Sequence, residues 1–231
     1  MVRYSIINEV NPREIVLLKS FPCRHGRCSF CDYISDNEKD ENIIIPFNKN
    51  VLKNVTGIYR QLEVINSASI FELPKRTWQD ILHTCIDNDI KTLYFECHYS
   101  YKDRLHEVYD YFKGISIIFK CGIETFDNDF RNNILKKGTY FYSPEEVKNY
   151  FKSICLLVGI NGQTKAMIDN DIKIALDHFD RICINMFEEN STQIKKDEAL
   201  QKWFLDKYSY LKDNPKVELL LNITDFGVGT K

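Results

Sequence analysis

Apolar, β-branched runs alternate with amphipathic stretches along the chain. Seven runs have the length and composition of buried strands, at residues 15–19, 62–66, 92–97, 115–121, 154–159, 181–187 and 217–222. Apolar residues at helical spacing predict helices over residues 77–86, 104–112, 167–179 and 197–211. Ser143 and Pro144 are typical of the start of a further helix, and the polar stretch 35–42 indicates a loop.

This alternation predicts an α/β fold in which helices cover a parallel sheet, arranged as an open doubly wound sheet or a barrel. About six β/α units and a last strand favour a partial (β/α)6-type barrel with an additional C-terminal strand. No linker, charge block or internal repeat divides the sequence, so we expect one domain over residues 1–231. A closed eight-unit barrel usually needs roughly 250 residues, so a chain of 231 residues favours a barrel that is open on one side.

Composition narrows the class of protein. The chain has 44% hydrophobic and 13% aromatic residues, far more than a disordered protein carries. Its 31 basic and 33 acidic residues give a net charge of −2, which argues against binding to DNA or another polyanion. No stretch is apolar enough for a signal peptide or a membrane span, so we expect a cytoplasmic protein without a membrane partner.

Compact polar segments follow most of the predicted strands. In β/α barrels the reactive groups lie on the loops at the carboxyl ends of the strands. Here those loops cover residues 23–31, 66–69, 96–99, 122–125, 159–164 and 185–192. We therefore expect an active site at this rim. The two glycines of the tail 226–231 permit it to fold against the rim, and the alternative is a frayed terminus.

Three of the eight cysteines lie within one short segment, at Cys23, Cys28 and Cys31. Zinc would take these thiolates with His25 as a fourth ligand. An iron–sulfur cluster would leave one iron open for another molecule. Three thiols without a metal are the least favoured interpretation, because exposed thiols that lie close together oxidise readily. The other cysteines are predicted to be small core residues: Cys85, Cys97, Cys121, Cys155 and Cys183.

The cysteine segment resembles the signature of the radical S-adenosylmethionine (SAM) enzymes. In that family three cysteines follow the first strand of a partial barrel, with an aromatic residue, here Phe30, before the last one. The family spacing C-x3-C-x2-C is C-x4-C-x2-C here. The resemblance implies that Cys23, Cys28 and Cys31 hold a 4Fe–4S cluster whose fourth iron chelates SAM. One electron would then release a 5′-deoxyadenosyl radical.

The same resemblance implies a set of cofactor-binding residues besides Phe30. Asn66, Ser67 and Ser69 stand where the family binds the methionine amino group. Glu124 stands near the position of the ribose hydroxyls. Arg131 would meet the methionine carboxylate, or is a solvated helix residue. Gly159 belongs to a predicted buried strand, the resemblance implies that its backbone packs on adenine, and both roles can hold together.

Within this superfamily, four segments resemble the queuine lyases: residues 66–69, 95–99, 159–164 and 185–203. The resemblance implies a lyase that takes queuosine 5′-phosphate, removes a ribose hydrogen atom and breaks the N-glycosidic bond to release queuine for salvage into tRNA. It implies a small nucleotide substrate and an electron donor such as flavodoxin or ferredoxin.

The chemistry of that substrate suggests further residues. The N–H donors of a deazaguanine need a carboxylate, for which Glu96 is preferred over Glu188 and Glu189; the alternative for Glu96 is a structural pair with Lys or Arg. His98 is a second catalytic candidate. The remaining expected contacts are Tyr99 and Tyr101 for the base or ribose, Asn185 and Asn190 for a diol, and Lys75, Arg76, Lys102, Arg104 and Lys165 for the phosphate.

Two other functions fit the sequence. One is a different radical SAM enzyme of tRNA modification or deazapurine metabolism. The other is a non-catalytic, zinc-binding module built on the same cysteines. The metal content of the protein would separate these classes.

Overall fold

The structure, a computed structural model, describes residues 2–221. Eight strands are present in this range: β1 (Tyr4–Ile7), β2 (Arg13–Leu18), β3 (Gln61–Asn66), β4 (Thr92–Glu96), β5 (Ser116–Glu124), β6 (Ser153–Val158), β7 (Arg181–Met186) and β8 (Val217–Leu220). Each predicted strand corresponds to one of them. The end of the last predicted strand, Asn222, and the tail 226–231 lie outside the described residues.

Helices follow the parallel strands. The α-helices are α1 (Glu41–Leu52), α2 (Lys75–Asp87), α3 (Leu105–Tyr111), α4 (Pro144–Lys148), α5 (Lys165–His178) and α6 (Glu198–Tyr208). Short 3₁₀ helices span Tyr33–Asp36, Ile70–Glu72, Tyr99–Arg104 and Ser209–Asp213, and a π-helical turn spans Phe130–Ile134. Ser143 caps α4 by accepting the Glu146 N–H, as its sequence predicts.

The strands follow one another in the sheet in chain order, from β1 to β8. β1 is antiparallel to β2, and the next pairs run parallel, with Val16 beside Val64 and Val64 beside Phe95. Six β/α units run from β2 to α6, and β8 adds the last strand. The α/β class and the (β/α)6-type partial barrel with an additional C-terminal strand are therefore confirmed.

Two elements depart from the sequence prediction. β1 was not expected, because its four residues are too few for a clear pattern. The loop prediction for residues 35–42 is wrong at its end, where Asp40 caps α1. Pro46 within α1 hides that helix from the sequence, because proline is a poor residue for a helix interior.

The chain divides into two compact units. The first contains residues 1–26 and 33–120, and the second contains residues 27–32 and 121–231. Cys23 belongs to the first unit, and Cys28 and Cys31 belong to the second. The single domain expected from the sequence stays a prediction.

Burial within the units follows the predicted pattern. The five cysteines outside the cysteine segment are all buried, which confirms their assignment as core residues. Among the described residues, no helix is both long and apolar enough to cross a membrane.

Candidate functional site

The first part of the cysteine segment lies in the first unit and is held by polar contacts. The Cys23 N–H donates to Asn37 Oδ1 at 3.4 Å, and the Arg24 N–H donates to Glu72 Oε1 at 3.2 Å. Gly26 has a φ of +54°, and its N–H donates to Cys23 Sγ at 3.4 Å. The Cys23 thiol is half-buried and free of any disulfide. The chain is therefore fixed on both sides of this thiol.

The segment after β3 contains the residues expected to bind the methionine amino group. Asn66 is buried, and its Nδ2 donates to the Ser69 carbonyl at 3.0 Å. Its Oδ1 is buried without a hydrogen-bond partner among residues 2–221. A buried acceptor of this kind is costly unless a donor reaches it, so Asn66 fits an ammonium ligand.

Ser67 and Ser69 are already engaged in the fold. Ser67 Oγ donates to Asp36 Oδ2 at 3.1 Å, and Ser69 Oγ accepts the His98 N–H at 2.9 Å. Burial would raise the pKa of Asp36, but its hydrogen bonds and ion pairs with Arg3 and Lys19 outweigh burial and hold that pKa below its usual value. The two serines thus shape the segment, while the Asn66 oxygen is its available acceptor.

Glu96 ends β4 and is partly exposed. Lys120 Nζ lies 3.4 Å from Glu96 Oε1, so the structural pairing considered for Glu96 is present. Lys120 also contacts the buried Glu63, which pairs with Arg13 as well. Burial would raise the pKa of Glu63, but these two cations lower it. Lys120 therefore holds the Glu96 carboxylate at the end of β4.

His98 follows β4 and is half-buried. Its Nδ1 accepts the Ser100 N–H at 3.2 Å, so the neutral ring carries its proton on Nε2. The ring stacks on that of His25, with centroids 4.9 Å apart and planes 15° apart. Tyr99 is buried, and the Tyr101 hydroxyl donates to Glu72. Tyr101 is thus committed to the protein interior rather than to a ligand.

The cations expected to bind phosphate have partners of their own in the first unit. Lys75 Nζ lies 3.2 Å from the centroid of the Trp78 ring. Three others form ion pairs with nearby carboxylates, namely Arg76 with Asp80, Lys102 with Asp103 and Arg104 with Glu107. These contacts assign the four residues surface roles, and we leave them out of the proposed site.

The second part of the cysteine segment lies in the second unit and is held mainly by packing. Phe30 is buried in a cluster with Phe130, Leu135, Leu157, Ile160 and Phe187, against which Cys28 and Cys31 also pack. Ser29 donates to the carbonyls of Ile134 and Leu135 at 2.7 and 3.0 Å. The Phe30 side chain thus anchors both neighbouring thiols.

Glu124 and Lys137 form a buried ion pair, with 2.6 Å between Oε1 and Nζ. Glu124 has a φ of +67°, a strained conformation for a residue with a side chain. Burial would lower the pKa of Lys137, but the charges of Glu124 and Cys28 raise it above its ordinary value. A Cβ atom on Gly122 would lie 2.9 Å from Lys137 Nζ, so this glycine leaves room for the pair.

The structure corrects both readings of Arg131. The side chain is neither solvated nor able to meet a carboxylate, because it is fully buried. Its guanidinium donates to the carbonyls of Thr139 and Thr125 at 2.9 and 2.8 Å and to Asn128 Oδ1 at 3.0 Å. It also stacks on Phe141. Arg131 therefore holds the chain after β5, and we remove it from the site.

Gly159 follows β6 with a φ of +84°. The position that a Cβ would take is filled by Gln201, whose amide donates to the Phe187 carbonyl at 2.6 Å. This close approach explains the glycine without a ligand. These contacts support the role of Gly159 in packing, and its contact with adenine stays a prediction.

The remaining residues predicted to bind substrate in the second unit differ in their exposure and in whether the protein already engages their polar groups. Asn185 is half-buried at the end of β7, and Glu188 pairs with Lys196 at 3.3 Å. Lys165, exposed at the start of α5, lies 5.5 Å from the Trp203 ring centroid. Asn190 is used at both ends, donating to the Phe30 carbonyl and accepting the Thr192 N–H. Asn190 therefore supports Phe30 and is a poor choice for a diol.

The fit of a metal cofactor rests on the chemistry of the donors. Within residues 2–221, no three His, Cys, Asp or Glu side chains are grouped so as to hold a metal ion. The three thiols of the segment form no disulfide and are half-buried, whereas the other five are buried, and Cys23 Sγ accepts the Gly26 N–H. By their chemistry, three cysteine thiols are suitable ligands for an iron–sulfur cluster, and the unpartnered Asn66 oxygen of the first unit suits a ligand that carries an amino group.

Sequence reasoning missed Glu72, which contacts three segments of the first unit. Its Oε2 accepts the Ser69 N–H at 2.9 Å, as in a capping box. The pattern Ser69-x-x-Glu72 was a readable signal for that one bond. The contacts of Glu72 with Arg24 and Tyr101 had no sequence signal. Lys120 and Lys137 were missed for the same reason, since each meets its partner across strands or loops.

Comparisons with known proteins agree with this arrangement. No family model and no curated protein matches the chain. Among solved structures, it is similar to a queuine lyase from Clostridium spiroforme bound to SAM and queuine, with 51% identity, 99% coverage of both chains and a TM-score of 0.95. It also shares the fold of methylornithine synthase (PylB), at 14% identity and a TM-score of 0.60, covering 89% of this chain and 64% of that one.

The first similarity extends over nearly the whole chain at an identity that leaves no doubt of common descent. The resemblance seen in the cysteine segment is thereby confirmed. The chain belongs to the queuine lyase family of radical S-adenosylmethionine enzymes.

Proposed function

We propose that this protein is a queuine lyase, which uses SAM to cleave the N-glycosidic bond of queuosine 5′-phosphate and release queuine for salvage into tRNA. The observation that carries the proposal is its 51% identity, over 99% of both chains, to a queuine lyase bound to SAM and queuine. The three half-buried thiols support it.

Cys23, Cys28 and Cys31 are the residues that would hold a 4Fe–4S cluster. With SAM, such a cluster supplies the single electron that generates a hydrogen-abstracting carbon radical. Asn66 Oδ1 accepts the methionine amino group, which gives this buried oxygen its missing donor. Glu124 is assigned to the ribose hydroxyls, where its positive φ and its bond to Lys137 limit the positions of its carboxylate.

Glu96 is the preferred residue for the N–H donors of the deazaguanine base. Lys120 Nζ lies 3.4 Å from one of its oxygens. His98 presents an Nε2–H donor in its neutral form, since Nδ1 accepts from Ser100. Tyr99 supports this segment, and Asn185, Glu188 and Lys165 complete the proposed substrate contacts.

The reaction asks the protein mainly for positioning. Loss of one ribose hydrogen atom weakens the bond from sugar to base, so the ribose must be held still beside the attacking carbon. Hydrogen bonds to the base edge would fix that orientation. We expect Glu96→Gln to weaken binding of the base, because the amide presents an N–H to a ligand donor.

The cofactor is tested first, by anaerobic reconstitution with iron and sulfide. We expect a brown protein with close to four irons, and 5′-deoxyadenosine once reductant and SAM are added. Cys28→Ala should abolish both, while Cys85→Ala, which changes a buried helix thiol, should keep them. A colourless zinc protein would overturn the proposal and indicate the binding module instead.

The substrate is tested by adding queuosine 5′-phosphate to the reduced protein and measuring free queuine by mass spectrometry. Queuine formation that requires SAM supports the proposal. If 5′-deoxyadenosine forms without queuine, the protein is a radical enzyme with another substrate. The flavodoxin or ferredoxin partner and the cytoplasmic location remain predictions.

A further inference from the structure

Glu72 lies at the end of the 3₁₀ helix Ile70–Glu72, and its side chain is buried. Its Oε1 accepts the Arg24 N–H at 3.2 Å and the Tyr101 hydroxyl, and its Oε2 accepts the Ser69 N–H at 2.9 Å. We propose that Glu72 is a positioning residue that sets the path of the cysteine segment around Cys23 and thereby the properties of the bound cluster. This inference rests on the proposed role of the three cysteines as cluster ligands.

The bonds of Glu72 lie on both sides of Cys23. The Phe21 N–H donates to the Glu72 carbonyl at 3.0 Å, and the Arg24 N–H donates to its carboxylate. One residue therefore fixes the backbone two positions before Cys23 and one position after it. A displacement of the backbone at Cys23 therefore strains these two bonds.

Other contacts tie the same segments together. His25 stacks on His98, and the His98 N–H donates to Ser69 Oγ at 2.9 Å. The loops after β2, β3 and β4 thus meet around Ser69 and Glu72. Those three loops carry the proposed cluster, SAM and base contacts of the first unit.

A carboxylate suits this position because all its side-chain partners are donors. Burial and the charge of Glu72 raise the pKa of Tyr101, so its hydroxyl stays protonated and donates. A glutamine has only one acceptor oxygen. If that oxygen faces Ser69, the Tyr101 hydroxyl can turn to accept from the new amide, but the Arg24 N–H is left without an acceptor.

Glu72→Gln is therefore expected to loosen the cysteine segment selectively. Hydrogen exchange of the full-length protein should show about a tenfold faster exchange at Arg24, the size expected for one lost hydrogen bond. After reconstitution, the reduced cluster should show altered electron paramagnetic resonance g-values and a shifted midpoint potential. A residue with a merely structural role would leave these two properties unchanged.

Two further variants sharpen the test. Tyr101→Phe keeps the carboxylate and both backbone donors, so we expect a smaller change at Arg24 and native g-values. Glu198→Gln changes an exposed carboxylate of α6 and should behave as wild type. Should Glu72→Gln fail to fold, Glu72→Asp replaces it, because it keeps the charge but withdraws the oxygens from Arg24.

Native exchange at Arg24 and native g-values in the Glu72 variant would overturn the inference. A wild-type protein that takes up no iron would instead overturn the proposed function. Hydrogen exchange at Arg24 would then be the only test of whether Glu72 positions the cysteine segment. The two failures are distinguishable, because exchange is measured without the cluster and the g-values require it.

Discussion

The two parts of the cysteine segment are held by different physical means. Around Cys23, the backbone N–H groups of Cys23 and Arg24 donate to Asn37 and Glu72 and thereby fix a partly exposed segment. Around Cys28 and Cys31, the segment is held mainly by packing of the buried Phe30 ring in an apolar cluster. Packing is indifferent to pH, whereas a polar anchor depends on the charge of its acceptors. The difference therefore predicts distinct responses to mutation and to pH.

The largest effect is expected on the packed side. Phe30→Ala removes a buried ring from an aromatic cluster and should lower the free energy of unfolding by about 3–5 kcal/mol. Urea denaturation followed by circular dichroism measures this loss. Tyr142→Ala is the matched control, because that ring is fully exposed. Equal stability of the two variants would show that Phe30 is no anchor.

On the polar side, Asp36→Asn should cost about 2–3 kcal/mol at neutral pH, because Arg3 and Lys19 lose a charged acceptor. Because the pKa of Asp36 is lowered in the folded protein, its ion pairs raise the free energy of unfolding above the usual carboxyl pKa. This contribution is lost as the pH falls below about 4. Denaturation at pH 7 and at pH 3 checks this. A cost that is the same at both values would contradict it.

The second unit should show the opposite pH dependence at Asp171. Burial raises the pKa of this acid to about 7, although its Oδ1 accepts the Phe126 N–H at 2.7 Å. A raised pKa stabilises the fold at low pH, and that stability is lost as the pH rises towards 7. We expect the wild type to lose about 1–2 kcal/mol between pH 5 and 7 from this group.

Asp171→Asn should remove that part of the slope, because the amide does not ionise in this range. The measurement is the difference in unfolding free energy between pH 5 and 7 for the two proteins. An unchanged slope would mean that Asp171 ionises normally.

The smallest effect concerns one neutral hydrogen-bonding side chain. Asn37→Ala removes the acceptor of the Cys23 N–H and a donor to the Ser67 carbonyl, which should cost about 1 kcal/mol. It should also speed alkylation of Cys23 in the metal-free protein. Asn50→Ala, at an exposed site on α1, serves as the control. Equal alkylation rates would show that Asn37 does not hold the loop.

The sequence predicted the strands well because each buried strand carries an uninterrupted apolar run. Residues 154–159, for example, match β6 within one residue at each end. Helix α1 escaped prediction because Pro46 and a polar start mask its pattern. A local sequence pattern thus predicts an element when burial is shared by neighbouring residues of that element.

The site was predicted less completely, for a related reason. The cysteine spacing is a local signal and identified the family. Arg131 has the same local appearance whether it faces solvent, a ligand or the carbonyls that it binds, and only the fold decides among them. Glu72 and Lys120 likewise act on residues distant in sequence, so their roles became visible only with the contacts.

The unequal burial of the eight thiols makes cofactor loading countable. Burial raises the pKa of Cys85 to about 12, and the other four core thiols are also buried. A brief pulse of alkylating reagent should therefore mark only the three thiols of the cysteine segment, and only in molecules whose segment carries no metal. The number of adducts on the intact mass of the protein would then report, molecule by molecule, what fraction of a preparation is ready to work.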